Sequence, residues 1–304
     1  MSLLNLTSDG LPNILVVLYA AIARARTPMT AKELIEAIAP ESVVKDARIA
    51  RTTLNRWTDL GLFKEDPDTK GLSLHRPPPT DMKSEADIVR AVRMEARHVA
   101  LSEANNVDLW AREEARAADL TRSLAWLMAL DVYRQGADNL FSLANDHIHG
   151  TGLTLMQNEA RVVGLKSWGY FLGFVRHPKA IDIDPTVAIS EVLPDCISPG
   201  EEMPARDLIE RLAQALPVID GGRYRQAVLD KLRDNALPPL QATQLSTSLS
   251  RALHCLMVNQ TLRFDSSRSD VGSSILLTGR DGPQTNHRYT WVARPRRGRN
   301  DFTQ

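Results

Sequence analysis

The chain has 304 residues, with 37 lysines and arginines against 37 aspartates and glutamates, 43% hydrophobic residues and 24% charged ones. The length predicts two or three domains, the ordinary hydrophobic content excludes wholesale disorder, and the zero formal charge excludes capture of nucleic acid by uniform electrostatic attraction. The two cysteines, Cys196 and Cys255, stand far apart with no metal-type spacing, which excludes a disulfide framework and points to a reducing compartment.

The charge is unevenly spread. Residues 1–80 carry 10 basic against 9 acidic residues, residues 81–200 carry 12 against 17, and residues 201–304 carry 15 against 11. A nucleic-acid surface is therefore expected at the ends rather than in the acidic middle. The apolar run Ile14 to Ile22 is far shorter than the ~20 residues needed to cross a bilayer, and Asp9 precedes it rather than a basic segment. The expectation is a cytoplasmic protein with no membrane partner.

Pro12 suits the first turn of a helix, and Ile14, Leu15, Leu18, Ala21 and Ile22 follow at helical spacing. Thr30-Ala31-Lys32-Glu33 is a capping box opening a short helix that Pro40 stops. A third helix is predicted over about 45–60, with Ile49, Ala50, Thr53, Leu54, Trp57 and Leu60 inward and Gly61 as its terminator. Leu62-Phe63, the turn Pro67–Gly71 and Leu72-Ser73-Leu74 then read as a hairpin. Three helices and a hairpin are the order of a winged-helix domain over 1–76.

Arg48, Arg51, Thr52 and Asn55 share the outer face of the third helix at i, i+3, i+4 and i+7. A helix in this position can lie in the major groove, where arginine suits guanine and asparagine suits adenine. Thr30, Lys32 and Arg76 are candidate phosphate contacts. The plain alternatives are a solvated helix face or a protein-docking module.

Arg76-Pro77-Pro78-Pro79 marks a boundary, and a helical middle domain is expected over 83–193. Its pattern is almost continuously helical from Lys83 to Tyr133, with further helices over 139–143 and over 153–174, the latter interrupted by Gly164 and Gly169. His147 and His149, with His177 beyond them, could hold a metal only in an extended or loop geometry, and an inter-helix loop explains them as well. No metal, cofactor or catalytic constellation is assigned, and the chain is read as non-enzymatic.

Pro194, Pro199-Gly200 and Pro204 mark a second boundary. Beyond it, helices are predicted over 207–216, over 224–232 and over 244–260, followed by strands at Leu262-Arg263-Phe264, Ile275-Leu276-Leu277 and Tyr289–Val292. This repeats three helices and a hairpin, so a second winged helix is expected over 204–294. It is poorer in base-reading residues, and a packing or partner role comes first. The tail 295–304 is basic, and Arg296, Arg297 and Arg299 are candidate phosphate contacts. The fold class is thus mainly α with small β wings: a winged helix at each end of a helical middle.

The opening Met1–Leu6, the turn Asp9-Gly10-Leu11-Pro12-Asn13, and Leu54-Asn55-Arg56-Trp57 with Leu60-Gly61-Leu62-Phe63 resemble the DpdG family. The resemblance is clearest over the first 75 residues. Its members are encoded in bacterial gene clusters that place 7-deazapurine derivatives in DNA and restrict unmodified DNA. The resemblance implies an accessory role in DNA-based defence, with partner proteins supplying ATPase and nuclease work; no catalytic residue is carried over. Double-stranded DNA is the expected ligand of the 48/51/55 face. Two other functions fit the same pattern: a tandem winged-helix scaffold subunit, or a transcriptional repressor sensing a ligand through its middle region.

Overall fold

The computed structural model describes residues 3–5, 10–79, 82–111, 116–134, 139–177, 181–266 and 274–296. Within them the protein is mainly helical, with two three-stranded sheets and one two-stranded sheet, all antiparallel. The chain divides into two units, Met1–Ser123 with Thr154–Leu172, and Leu124–Leu153 with Gly173–Gln304. The stretch 83–193 contributes to both.

The first unit begins where local signals put it. Helix α1 (Pro12–Arg24) has Pro12 in its first turn and buries Leu15, Leu18 and Ile22. Strand β1 (Met29–Thr30) leads into α2 (Ala31–Ile38), and both halves of the predicted capping box form. Helix α3 (Arg48–Asp59) buries Ala50, Thr53, Leu54 and Trp57. At its end Gly61 has φ +88°, a left-handed conformation that costs glycine nothing. There the Gly61 N–H donates to Thr58 O at 2.9 Å and the Leu62 N–H to Trp57 O at 2.8 Å, a Schellman closure that turns the chain at once into β2 (Phe63–Glu65). Strand β3 (Gly71–Leu74) returns between its neighbours, giving the order β1-β3-β2.

Helices α4 (Glu85–Ala100), α5 (Ala118–Ala129), α6 (Leu140–His147) and α7 (Ala160–Phe171) follow. The unit boundary falls inside α5, and α6 belongs to the second unit. The almost continuously helical pattern of 83–133 resolves into α4 and α5, the chain leaving the helix after α4. Asn105 donates to Val99 O and Leu60 O, both at 2.9 Å, and Asn106 donates to Ala100 O and Ser102 O, both at 2.7 Å. The amides take the carbonyls that a further turn would have used, which is how asparagine ends a helix. Gly164 and Gly169, read as interruptions, lie inside an unbroken α7 and are buried. Trp57 and Trp168 meet in the core with ring centroids 5.3 Å apart.

Tyr19 is fully buried, its hydroxyl has no hydrogen-bond partner among the described residues, and burial, with Glu95 second, pushes its pKa up to about 12. An unpaired buried hydroxyl costs about 1–3 kcal/mol. Tyr19→Phe is therefore expected to hold or raise stability, by about 1 kcal/mol, in urea unfolding. A clear loss would show that the hydroxyl is satisfied after all.

The second unit contains α8 (Thr186–Cys196), β4 (Glu202–Pro204), α9 (Ala205–Ala215), α10 (Arg223–Leu229), α11 (Thr247–Val258), β5 (Arg263–Asp265), β6 (Ile275–Gly279), β7 (Gly282–Tyr289) and β8 (Trp291–Ala293). Its three-stranded sheet has the order β4-β8-β5. Read as α8-β4-α9-α11-β5-β8, the unit repeats the order α1-β1-α2-α3-β2-β3, with α10 and the β6–β7 hairpin inserted. Two expectations shift accordingly. Pro194 lies inside α8 rather than at a boundary, and the layout begins there, upstream of residue 204. The strand returning to β5 is β8, paired through Phe264 and Val292, while β6 pairs with β7. No helix among the described residues is long and apolar enough to cross a membrane.

Candidate nucleic-acid interface

The outer face of α3 is open. Arg48, Arg51 and Asn55 are exposed, as the 3.6-residue period of the sequence requires. Thr52 is half-buried, and its hydroxyl donates to Ile49 O at 3.0 Å within its own helix. Arg48 lies 3.7 Å from Asp46, whose carboxylate also accepts from the Arg48 N–H at 2.8 Å and so closes the helix start. An exposed pair of this kind is worth about 0–1 kcal/mol, so the guanidinium is released from it at little cost.

Beside that face, α2 and α3 bound a groove of about 300 Å³, lined in part by Lys32, Arg51 and Asn55. Three of the residues singled out thus share one concavity. Glu36 and Glu41 line it too. They stand within a Debye length of the cations and weaken the local positive field. The sequence could have signalled Glu36, one turn beyond Lys32 on the same helix; Glu41 comes from the loop after it.

Thr30 and Arg76 are otherwise engaged. The Thr30 hydroxyl donates to Glu33 Oε2 at 2.8 Å and accepts from the Glu33 N–H at 3.3 Å, and its hydrogen bonds hold the Glu33 carboxyl below its usual range. Turning Thr30 toward a phosphate would cost the cap, about 1 kcal/mol. Arg76 turns onto α4, with its Nη2 2.6 Å from His98 Nε2 and its Nη1 4.0 Å from Glu95. Burial and the Arg76 charge lower the His98 pKa, with Glu95 opposing them in part.

The corresponding helix of the second unit has no open polar face. On α11, Ser248 donates to Met128 O at 2.6 Å, and the Thr247 hydroxyl accepts from the Val132 N–H at 3.0 Å. Arg251 donates to Asp182 at 2.6 Å and to Ile183 O at 3.3 Å. The side chains that would read bases instead hold loops of their own unit. Arg296 is exposed; Arg297 and Arg299 lie outside the described residues.

His147 is buried, and its Nδ1 accepts from Trp126 Nε1 at 3.1 Å; burial lowers its pKa. His149 is exposed beyond the end of α6. No group of three His, Cys, Asp or Glu side chains among the described residues is placed to hold a metal ion. Cys196 is buried, which pushes its thiol up to about 11.

A family model described as DpdG-like matches residues 1–270 of the chain. No curated protein and no solved structure matches it.

Proposed function

The chain belongs to the DpdG-like family, and from that premise we propose that it is a non-enzymatic accessory protein that docks double-stranded DNA on α3, within a bacterial system that places 7-deazaguanine derivatives in DNA and restricts unmodified DNA. Family membership supports the association with the Dpd gene cluster. In this reading the first unit is a winged helix, and its element order and β1-β3-β2 sheet support that. The observation that carries the DNA reading is the exposed Arg48/Arg51/Asn55 row with Lys32 across the groove. Guanidinium and amide groups on one helix face match the acceptor and donor edges of the major groove, and Lys32 adds a phosphate contact.

Three cations suffice for modest affinity only. If Arg48 and Arg51 in the groove and Lys32 on the backbone each displace about one condensed counterion, log Kobs falls with log salt with a slope of about −2.7. Affinity for duplex DNA is then expected to drop about 40-fold between 50 and 200 mM salt, a series that mobility shifts can follow. A flat series, or no shift at low salt, would count against the interface.

One observation favours a second reading. Glu36 and Glu41 in the groove suit docking of a protein better than docking of a duplex. A tandem winged-helix scaffold would co-purify with ATPase or nuclease subunits of the system and leave duplex DNA unbound.

A further inference from the structure

A cavity of about 560 Å³ in the second unit lies between the chain following α10 and the turn of the β6–β7 hairpin. That volume falls within the range of small-molecule sites, about 300–1,000 Å³. Its lining comes from segments around residues 131, 233, 240 and 280, too far apart along the chain to form a local motif.

Its chemistry is divided. Leu232, Pro239 and Leu240 supply apolar wall. Deep in the lining, Arg225 is neutralised by Asp220 at 2.9 Å and donates to Met128 O at 2.7 Å, so it is already spent. Three further guanidiniums line the cavity. Arg134 stands 3.4 Å from Asp131 and Arg233 is 2.7 Å from Asp146, both pairs open to solvent on the arginine side. Arg280 is exposed and pairs with no carboxylate among the described residues. Asp131 is the one carboxylate of the described lining.

Exposed ion pairs yield to a better ligand at little cost. Guanidiniums match phosphate oxygens bidentately, and an apolar wall suits an aromatic ring. The amide of Gln241, also in the lining, offers both a donor and an acceptor to a ring edge. From this we propose that the cavity binds a nucleoside phosphate, with its base against Leu232, Pro239 and Leu240 and its phosphates at Arg233 and Arg280, Arg134 lying in reach. The site belongs to the second unit and uses no residue of α3.

The test is isothermal titration of the full chain with ATP, GTP, AMP, GMP and inorganic pyrophosphate. At least one nucleotide is expected to bind in the micromolar range, and pyrophosphate at least about tenfold more weakly, because it cannot use the apolar wall. Arg233→Ala with Arg280→Ala is expected to weaken nucleotide binding by at least about tenfold. Leu240→Asp, which places a carboxylate at the half-exposed wall, should do the same by a different route and without touching an ion pair. The proposal is overturned if no nucleotide binds up to the millimolar range, if pyrophosphate binds as tightly as any nucleotide, or if a folded variant binds as the wild type does.

Discussion

Arg122→Ala is expected to cost the first unit on the order of 3–5 kcal/mol, the range for stripping one partner from a buried charged network. Arg122 is 1% exposed. Its Nε donates to Leu155 O at 3.0 Å, and its Nη1 donates to Leu109 O at 3.0 Å and Ala111 O at 3.1 Å. Burial lowers its pKa, offset in part by the Asp119 and Asp108 carboxylates. One side chain therefore ties α5 to two irregular segments that have little regular structure of their own. Leu155 O keeps a second donor, the Ser123 hydroxyl at 3.2 Å, so the loss falls mainly on the carbonyls of Leu109 and Ala111. Lysine cannot stand in, since a single ammonium does not present the planar fork that reaches separate segments. Urea unfolding with hydrogen exchange read at residues 109–111 measures the effect. A loss below about 1 kcal/mol would mean that the guanidinium is replaceable there.

Gly164→Ala is the second large effect, and its sign is opposite to what helix propensity alone predicts. Alanine in place of a mid-helix glycine ordinarily gains about 1 kcal/mol. Here a Cβ on Gly164 would stand 2.0 Å from Leu4 O and 2.6 Å from Leu4 C, both backbone atoms that cannot rotate aside. The segment 3–5 would have to leave, and with it Leu3 and Leu4, which are 0% and 1% exposed. Each buried leucine contributes about 1.5–3 kcal/mol, an upper bound because the unfolded chain is partly compact. Burial outweighs propensity, for a net loss of about 2–4 kcal/mol. The cause is separable by a cycle: removing residues 1–5 should cost a similar amount, and Gly164→Ala on that background should gain up to about 1 kcal/mol. Equal, additive losses in both backgrounds would contradict the contact.

Arg122 and Gly164 both act on segments far away in the chain, beyond the reach of local sequence rules. The capping box at Thr30, the proline of α1 and the closure at Gly61 were legible because each acts within four residues of itself. So was the outward row Arg48, Arg51, Asn55, since one helical period fixes it. Gly164 reads as a break by any local rule; its reason is the backbone of Leu4, some 160 residues away in the chain. The 101–117 interval carries helix-compatible residues, yet Asn105 and Asn106 reach back and take the α4 carbonyls. The β6–β7 pairing was missed because Gly282-Pro283-Gln284 opens β7 with turn residues and no apolar alternation. At the candidate interface the cations were foreseen, but the carboxylates beside them were not, because they come from α2 and the loop beyond it.

The carboxylates make the interface a matter of degree, and the most direct measurement isolates the helix face. Fluorescence anisotropy of labelled duplex DNA should be followed over a salt series for the wild type and for Arg48→Ala with Arg51→Ala. Losing two of the three cations that displace counterions is expected to cut the salt slope from about −2.7 to about −0.9. At 50 mM salt the variant should bind at least about tenfold more weakly, since each lost bidentate base contact costs about 1–3 kcal/mol. An unchanged slope and affinity in a folded variant would contradict the docking of DNA on α3.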